Sequence, residues 1–160
     1  MHLRRMTKLL LLLLLISTTV WAQKVTTTEL GGATNIYNDA LKRYLILTSE
    51  SRRPMYDTLF IQQDGSITDS LMNTINGIKV SIVDSSLMQE KLRRHKSFVL
   101  HRLFPLSFDK GVFYVSLVPF HVTETNGEVY LTNNGTFKVE YLFDSKLRAF
   151  RYRKGISYGY

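Results

Sequence analysis

The chain of 160 residues has no cysteine. That absence excludes disulfides, thiolate catalysis, zinc–cysteine sites and iron–sulfur clusters. It also removes the residue that a bacterial lipoprotein acylates, so no lipid anchor is expected. Small secreted domains of eukaryotes usually carry disulfides, and a domain without them has to be held by its core alone. There is no Gly-x-Ser-x-Gly elbow, no P-loop, no Gly-x-Gly-x-x-Gly and no HExxH, so serine hydrolases, nucleotide binding and zinc proteolysis have no recognisable framework. Apolar runs are short. The longest, Leu9 to Ile16, falls well below the ~20 residues of a membrane-spanning helix.

What is present begins with that run. Arg4, Arg5 and Lys8 precede it, polar Ser17, Thr18 and Thr19 follow it, and Val20 and Ala22 occupy the positions of a small-residue cleavage site. This is the layout of a secretory signal peptide over 1–22, with Gln23 as the first mature residue. The expected localisation is periplasmic or extracellular, with no transmembrane anchor after cleavage. Removing the three basic residues of the leader lowers the formal charge from +8 to +5, a level that speaks of solubility rather than of a partner.

Residues 23–33 read as a flexible or edge-lying N-terminal arm, 34–154 as one domain and 155–160 as a C-terminal tail. The apolar spacing of Tyr37, Leu41, Tyr44, Leu45 and Thr48 predicts a helix over 34–49, capped by Thr34 or Asn35, with Asp39 suiting the helix dipole. A short strand over 56–62, an ambiguous stretch over 67–75 and a half-buried strand over 78–83 follow, the last entered through the turn Asn76-Gly77. A second helix is expected over 84–95, with Ser86 and Gln89 at capping-box spacing. From Ser97 to Tyr152 the chain reads as strands joined by tight turns. Val112 to Val118 is apolar on both sides and belongs in the middle of the sheet, while Pro119, which has no N–H, calls for a bulge or a shift to an edge. Asn133-Asn134-Gly135 suits a three-residue hairpin loop; Asn134 also heads a glycosylation sequon, for which an ordinary turn is the simpler meaning.

The fold class is therefore α+β: two short helices on a curved, mainly antiparallel sheet ending in a meander. This element order resembles the ketosteroid isomerase-like roll. The resemblance implies a pocket between helices and sheet, which Tyr44, Tyr114, Tyr141, Phe113, Phe137 and Phe143 would line and where a small apolar ligand would bind. The simpler meaning of the same aromatics is core packing. Such rolls host enzymes and binding modules alike, so the likeness assigns no function.

No residue is assigned a catalytic role by the sequence, and no cofactor or metal is expected. His95, His101 and His121 are the mature histidines, with Asp109 and Glu124 near two of them in sequence. If Asp109-Lys110 forms a two-residue turn, Phe98 faces His121 and Val118 faces His101, so the histidines do not meet. Paired acids for glycoside chemistry would come from Asp109, Glu124, Glu128, Glu140 or Asp144, positions where acids are commonly just solvated. Arg148, Arg151, Arg153 and Lys154 interleave with Phe150 and Tyr152. Export argues against nucleic acid as their partner, and a charged edge strand is the simplest account. Ile156, Tyr158 and Tyr160 alternate like the end of an outer-membrane barrel, but the helices oppose a barrel. The reading as a whole is an exported, non-enzymatic binding or structural module whose partner is a protein, a glycan or a small apolar ligand; the alternative is an enzyme or ligand-binding roll of the ketosteroid isomerase-like kind.

Overall fold

The computed structural model describes residues 26–29, 32–50 and 57–159. The leader, its cleavage site and the helix-ending Pro54 lie outside the described residues. Chain order is β1 (Thr26–Glu29), β2 (Gly32–Asn35), α1 (Ile36–Glu50), β3 (Thr58–Gln62), a single helical turn α2 (Gly65–Thr68), β4 (Thr74–Ile75), β5 (Ile78–Val83), α3 (Ser85–His95), β6 (Ser97–Leu103), β7 (Ser107–Asp109), β8 (Val112–Thr125), β9 (Glu128–Asn133), β10 (Thr136–Asp144) and β11 (Ala149–Tyr158). All strands join one sheet in the order β2-β1-β11-β10-β8-β6-β3-β5-β4, with β7 and β9 also flanking β8. The α+β class holds, and the sheet is mainly antiparallel.

Local chemistry explains the helices. Asn35 caps α1, its Oδ1 accepting from the Tyr37 N–H at 2.8 Å. The cap of α3 is Asp84 rather than a Ser86–Gln89 box: Asp84 Oδ1 accepts from the Leu87 N–H at 2.7 Å and from the Ser86 hydroxyl at 2.8 Å. A carboxylate one residue outside the first turn suits both the unpaired amides and the helix dipole. The ambiguous stretch resolves into one turn and a two-residue strand, and Ile75 pairs with Ile78 across Asn76-Gly77.

The two helices lie on opposite faces of the sheet. On one, α1 buries Ile36, Leu41, Tyr44 and Leu45 against Leu59, Ile61, Leu103, Val115, Leu117, Phe137, Val139 and Tyr141. On the other, Leu92 of α3 meets Val83, Leu100 and Val122. Strand β3 is therefore covered on both sides. It pairs in parallel with β5 and with β6, a parallel three-strand unit the sequence did not suggest. The connection from β5 to β6 passes through α3, as parallel neighbours require a crossover.

Strand β8 is the spine. Val115 and Leu117 are fully buried in it, as its two-sided apolar run predicts. The hairpin expected at 133–135 does not form. Both β9 and β10 run antiparallel to β8 along the same flank: Asn133 pairs with Phe120 and Phe137 with Leu117. Three steps along β8 thus face four on its neighbour, which makes Asn134-Gly135 a bulge inside one long strand. The reason is Pro119. Its carbonyl accepts from the Asn134 N–H at 3.1 Å, but it has no N–H to return, so the ladder slips a residue there. Gly135 supplies the left-handed backbone, φ 106°.

Three sequence expectations about the edges need correction. Within the arm, 26–29 and 32–33 lie in strands β1 and β2 at one edge of the sheet, as the edge-lying reading has it, but β2 runs on through 34–35, which were expected to open the helix; β1 lies parallel to β11 through Thr27 and Phe150. The supposed tail is ladder as far as Tyr158, which pairs with Thr136. Consequently β11 is not a bare edge. Gly155 sits where a Cβ would come within 2.6 Å of Leu47 Cδ1 and 2.8 Å of Phe137 Cζ, so a side chain at that position would have to displace these neighbours.

Candidate functional site

The buried titratable side chains Tyr44, His101, Asp39 and Tyr141 are gathered under α1. Tyr44, on its core-facing stripe, points at His101 of β6. The imidazole Nδ1 lies 3.3 Å from the Phe60 carbonyl and Nε2 lies 3.0 Å from the Tyr44 hydroxyl. A carbonyl only accepts, so Nδ1 carries the proton and Nε2 accepts from Tyr44. The ring is completely buried, and burial pulls its pKa down to about 4 despite the hydrogen bond to Phe60. At neutral pH it is an uncharged, fully satisfied core histidine.

One turn earlier, Asp39 is buried at 2 % exposure. Its Oδ2 accepts from the Tyr141 hydroxyl at 2.9 Å, and Arg43 Nε stands 3.7 Å from Oδ1. Desolvation raises the Asp39 pKa above the usual carboxylate value, against the pull of the Tyr141 hydrogen bond and of the Lys42 charge. Burial, followed by the Asp39 charge, pushes the Tyr141 phenol upward, so it stays a donor. Arg43 also packs its guanidinium over the Tyr152 ring at 4.0 Å. Asp39 was missed as a buried group by sequence reasoning, which gave it only a dipole role. Its spacing of four from Arg43 is the one local signal; Tyr141 lies 102 positions away.

The other sequence candidates disperse. His101 pairs with Pro119 and His121 with Val99. The register differs by one residue from the expected one because the turn is Lys110-Gly111, not Asp109-Lys110, and because Pro105 interrupts the strand between β6 and β7. The histidines still do not face each other: His121 is exposed, and exposed His95 ends α3. Asp109 is at one end of β8, Glu124 and Glu128 at the other. Glu140 faces Arg153 at 3.4 Å and Lys154 at 3.8 Å, and Asp144 faces Arg151 at 3.4 Å. The basic stretch of β11 is thus answered by acids of β10, while Phe150 and Tyr152 turn inward to pack against the α1 core. Among the described residues no group of three or more histidines and acids stands together.

Of the six aromatics, Tyr44, Tyr141 and Phe137 fill the core under α1, and Tyr44 meets Phe137 edge-on at 5.5 Å. Tyr114 points to the opposite face, under Lys138 Nζ at 3.7 Å. Phe113 is half-buried and Phe143 is exposed. They do not ring a common cavity. A cleft of about 250 Å³ does open elsewhere, at the C-terminal ends of β3 and β5, between Gln62, Gln63, Val83, Asp84, Met88 and Leu100. Two of its polar groups are already engaged, Gln62 Oε1 by the Arg102 Nε–H at 2.8 Å and Asp84 by the α3 cap.

The surface offers a different kind of site. All six residues of β9 are exposed, and among the described residues β9 pairs only with β8. Val129, Tyr130 and Leu131 stand in solvent at 38 %, 48 % and 41 % exposure. The strand has no lysine, no proline and no internal bulge, the usual devices that block pairing at a sheet edge. No protein-family model, curated protein or solved structure matches the chain.

Proposed function

We propose that this protein is an exported, non-enzymatic module that works by binding another polypeptide at the periphery of its sheet. The observation that carries the reading is the contrast in how polar chemistry is deployed. His101, Tyr44, Asp39 and Tyr141 are hydrogen-bonded to one another or to backbone in the core, whereas the open backbone groups and apolar side chains of β9 are presented to solvent. A general acid or base needs a cavity that a substrate can enter; a strand-pairing site needs only a free edge. The leader-like N-terminal sequence supports export, and the absence of cysteine agrees with a core-stabilised envelope or extracellular protein.

A ketosteroid isomerase-like roll, with a catalytic or apolar-ligand pocket beneath the helices, draws less support. Of the aromatics that would line the pocket, Tyr44, Phe137 and Tyr141 interlock as core, Tyr114 points to the other face and Phe143 is exposed, and α3 lies on the face opposite α1. Two measurements test the proposal. Mass spectrometry of the chain produced with its own leader in a bacterial host should find Gln23 at the N-terminus; a retained Met1 would contradict export. Titration with small apolar ligands, followed by NMR, should leave Tyr44, Phe137 and Tyr141 unmoved. Saturable shifts there would favour the roll instead.

A further inference from the structure

The apolar face under α1 runs on past the start of the helix. By alternation along each strand, Phe113 continues Val115 and Leu117 on β8, Phe143 continues Val139 and Tyr141 on β10, and Phe150 continues Tyr152 on β11. Phe108 of β7 pairs with Phe113 and extends the row. Ring centroids lie 4.7 Å apart for Phe108 and Phe113, 5.0 Å for Phe113 and Phe150, and 5.2 Å for Phe150 and Phe143. The inner two rings are half-buried, while Phe108 and Phe143 are 61 % and 51 % exposed.

Two turns border this row at one end of the sheet. Lys110-Gly111 joins β7 to β8, and residues 145–148 join β10 to β11. Phe113 lies opposite Tyr141, so the start of β8 and the end of β10 share that end. In the second turn Leu147 is 61 % exposed between Lys146 and Arg148. Cations outnumber acids here, Lys110, Lys146, Arg148 and Arg151 against Asp109 and Asp144. Asp144 is also occupied, accepting from the Lys146 and Leu147 N–H groups at 3.0 Å and 3.1 Å and facing Arg151 at 3.4 Å.

We infer that this end of the sheet docks on an anionic phospholipid bilayer, with Phe108, Phe143 and Leu147 entering the headgroup layer and Lys110, Lys146 and Arg148 meeting its phosphates. Charge complementarity selects the occupant. An anionic bilayer takes both kinds of side chain at once, apolar groups at the acyl boundary and long basic ones reaching back to the headgroups. The bare strand β9 has no such complement, since it carries Glu128 and neither lysine nor arginine. The path of the chain agrees. Thr27 pairs in parallel with Phe150, which sets Thr26 at the same end as the 145–148 turn. Here the inference rests on the export reading: Thr26 follows the cleavage site after Ala22 by four residues, a reach of roughly 14 Å at most, so a precursor held by its leader keeps this end near the bilayer. A few partly inserted side chains and cations give reversible, salt-sensitive binding.

The test is co-sedimentation of the mature chain, produced with its own leader, with vesicles of equal parts phosphatidylglycerol and phosphatidylcholine, and with vesicles of phosphatidylcholine alone. The chain should bind the anionic vesicles, less so as salt is added, and bind the neutral ones far more weakly. Lys146→Gln with Arg148→Gln should weaken binding about ten-fold. Phe108→Ser with Leu147→Ser, which leaves the charge unchanged, should weaken it to a similar degree, about ten-fold. Arg93→Gln with Arg94→Gln removes the same charge from exposed positions of α3 and should leave binding within about two-fold. Each variant should keep the wild-type circular dichroism. No binding to the anionic vesicles would overturn the inference, and so would capture of soluble polyglutamate in their place, which would assign the surface to an acidic protein. An equal loss from the α3 pair, or none from Phe108→Ser with Leu147→Ser, would reduce the effect to bulk charge and overturn it too. These results are separable from a failure of export, which the mature N-terminus reads independently.

Discussion

Strands β9 and β10 are one strand in two environments. They follow each other along the same flank of β8, separated only by the bulge at Asn134-Gly135. Both have apolar side chains at alternate positions. Yet β10 buries Phe137, Val139 and Tyr141, whereas every residue of β9 is exposed. What differs is the layer above. Helix α1 packs on β10 and puts Tyr44 against Phe137, while among the described residues β9 stays exposed along its whole length. Burial here follows what covers a face, not the pattern of the strand, and under the proposed function the uncovered half is the part that binds. Stability should therefore reside in the covered half and association in the bare one.

The sharpest way to break this comparison is to truncate matched leucines. Leu117→Ala, beneath α1 at 1 % exposure, should cost ~2–5 kcal/mol in urea unfolding. Total domain stability is typically only ~5–15 kcal/mol, so this loss is a large fraction of it. Equal effects from Leu117→Ala and Leu131→Ala would mean that β9 is part of the folding core.

Acid should attack the covered half next. The folded pKa of His101, about 4, lies below its ordinary value of 6.5. The unfolded chain thus binds more protons between these values, and stability falls as pH drops through that window. The full effect is on the order of 3 kcal/mol. Asp39 acts in the opposite sense, because its raised pKa favours the protonated carboxyl in the fold. Urea midpoints measured from pH 7 to pH 4 should decline, and His101→Gln should flatten the decline whatever its own stability. An unchanged slope in that variant would show that another group is responsible.

Smaller changes sharpen the account of α1. Tyr44→Phe removes the hydroxyl that donates to buried His101 Nε2, at a cost of ~1–3 kcal/mol. Gly155→Ala forces a methyl group against Leu47 and Phe137; thermal unfolding should show a loss of about the same size. The smallest effects belong to the exposed side chains. Arg151→Ala breaks only a solvated contact to Asp144 and should change stability by less than ~0.5 kcal/mol. Leu131→Ala, on the bare strand β9, should behave alike.

What the sequence made legible was local. The stripe Tyr37, Leu41, Tyr44 and Leu45 marked α1, and Asn76-Gly77 marked the turn into β5, because turn chemistry and helical periodicity act over a few residues. Val112 to Val118 revealed a central strand because both of its faces had to be apolar. The failures are long-range. Asn133-Asn134-Gly135 has the same composition in a hairpin loop and in a bulge, and the choice is made by Pro119 on the neighbouring strand. The parallel placement of β3 between β5 and β6 is decided by which faces α1 and α3 cover. The buried pairs Tyr44–His101 and Asp39–Tyr141 join residues 57 and 102 positions apart, and no local pattern announces such pairs. Exposure of β9 was hidden for the same reason: Glu128 to Asn133 reads as an ordinary strand until it is seen that none of the described residues covers it.

Amide hydrogen exchange tests the division between covered and bare halves most directly. The two-residue turn Asn126-Gly127 makes Thr125 and Glu128 a hydrogen-bonded pair, so alternation turns the amides of Val129, Leu131 and Asn133 away from β8. Those three should exchange fast, while the amides of Val115 and Leu117 exchange only by global unfolding. Slow exchange at Val129 and Leu131 would contradict the account, because it would mean that β9 is already covered within the single chain.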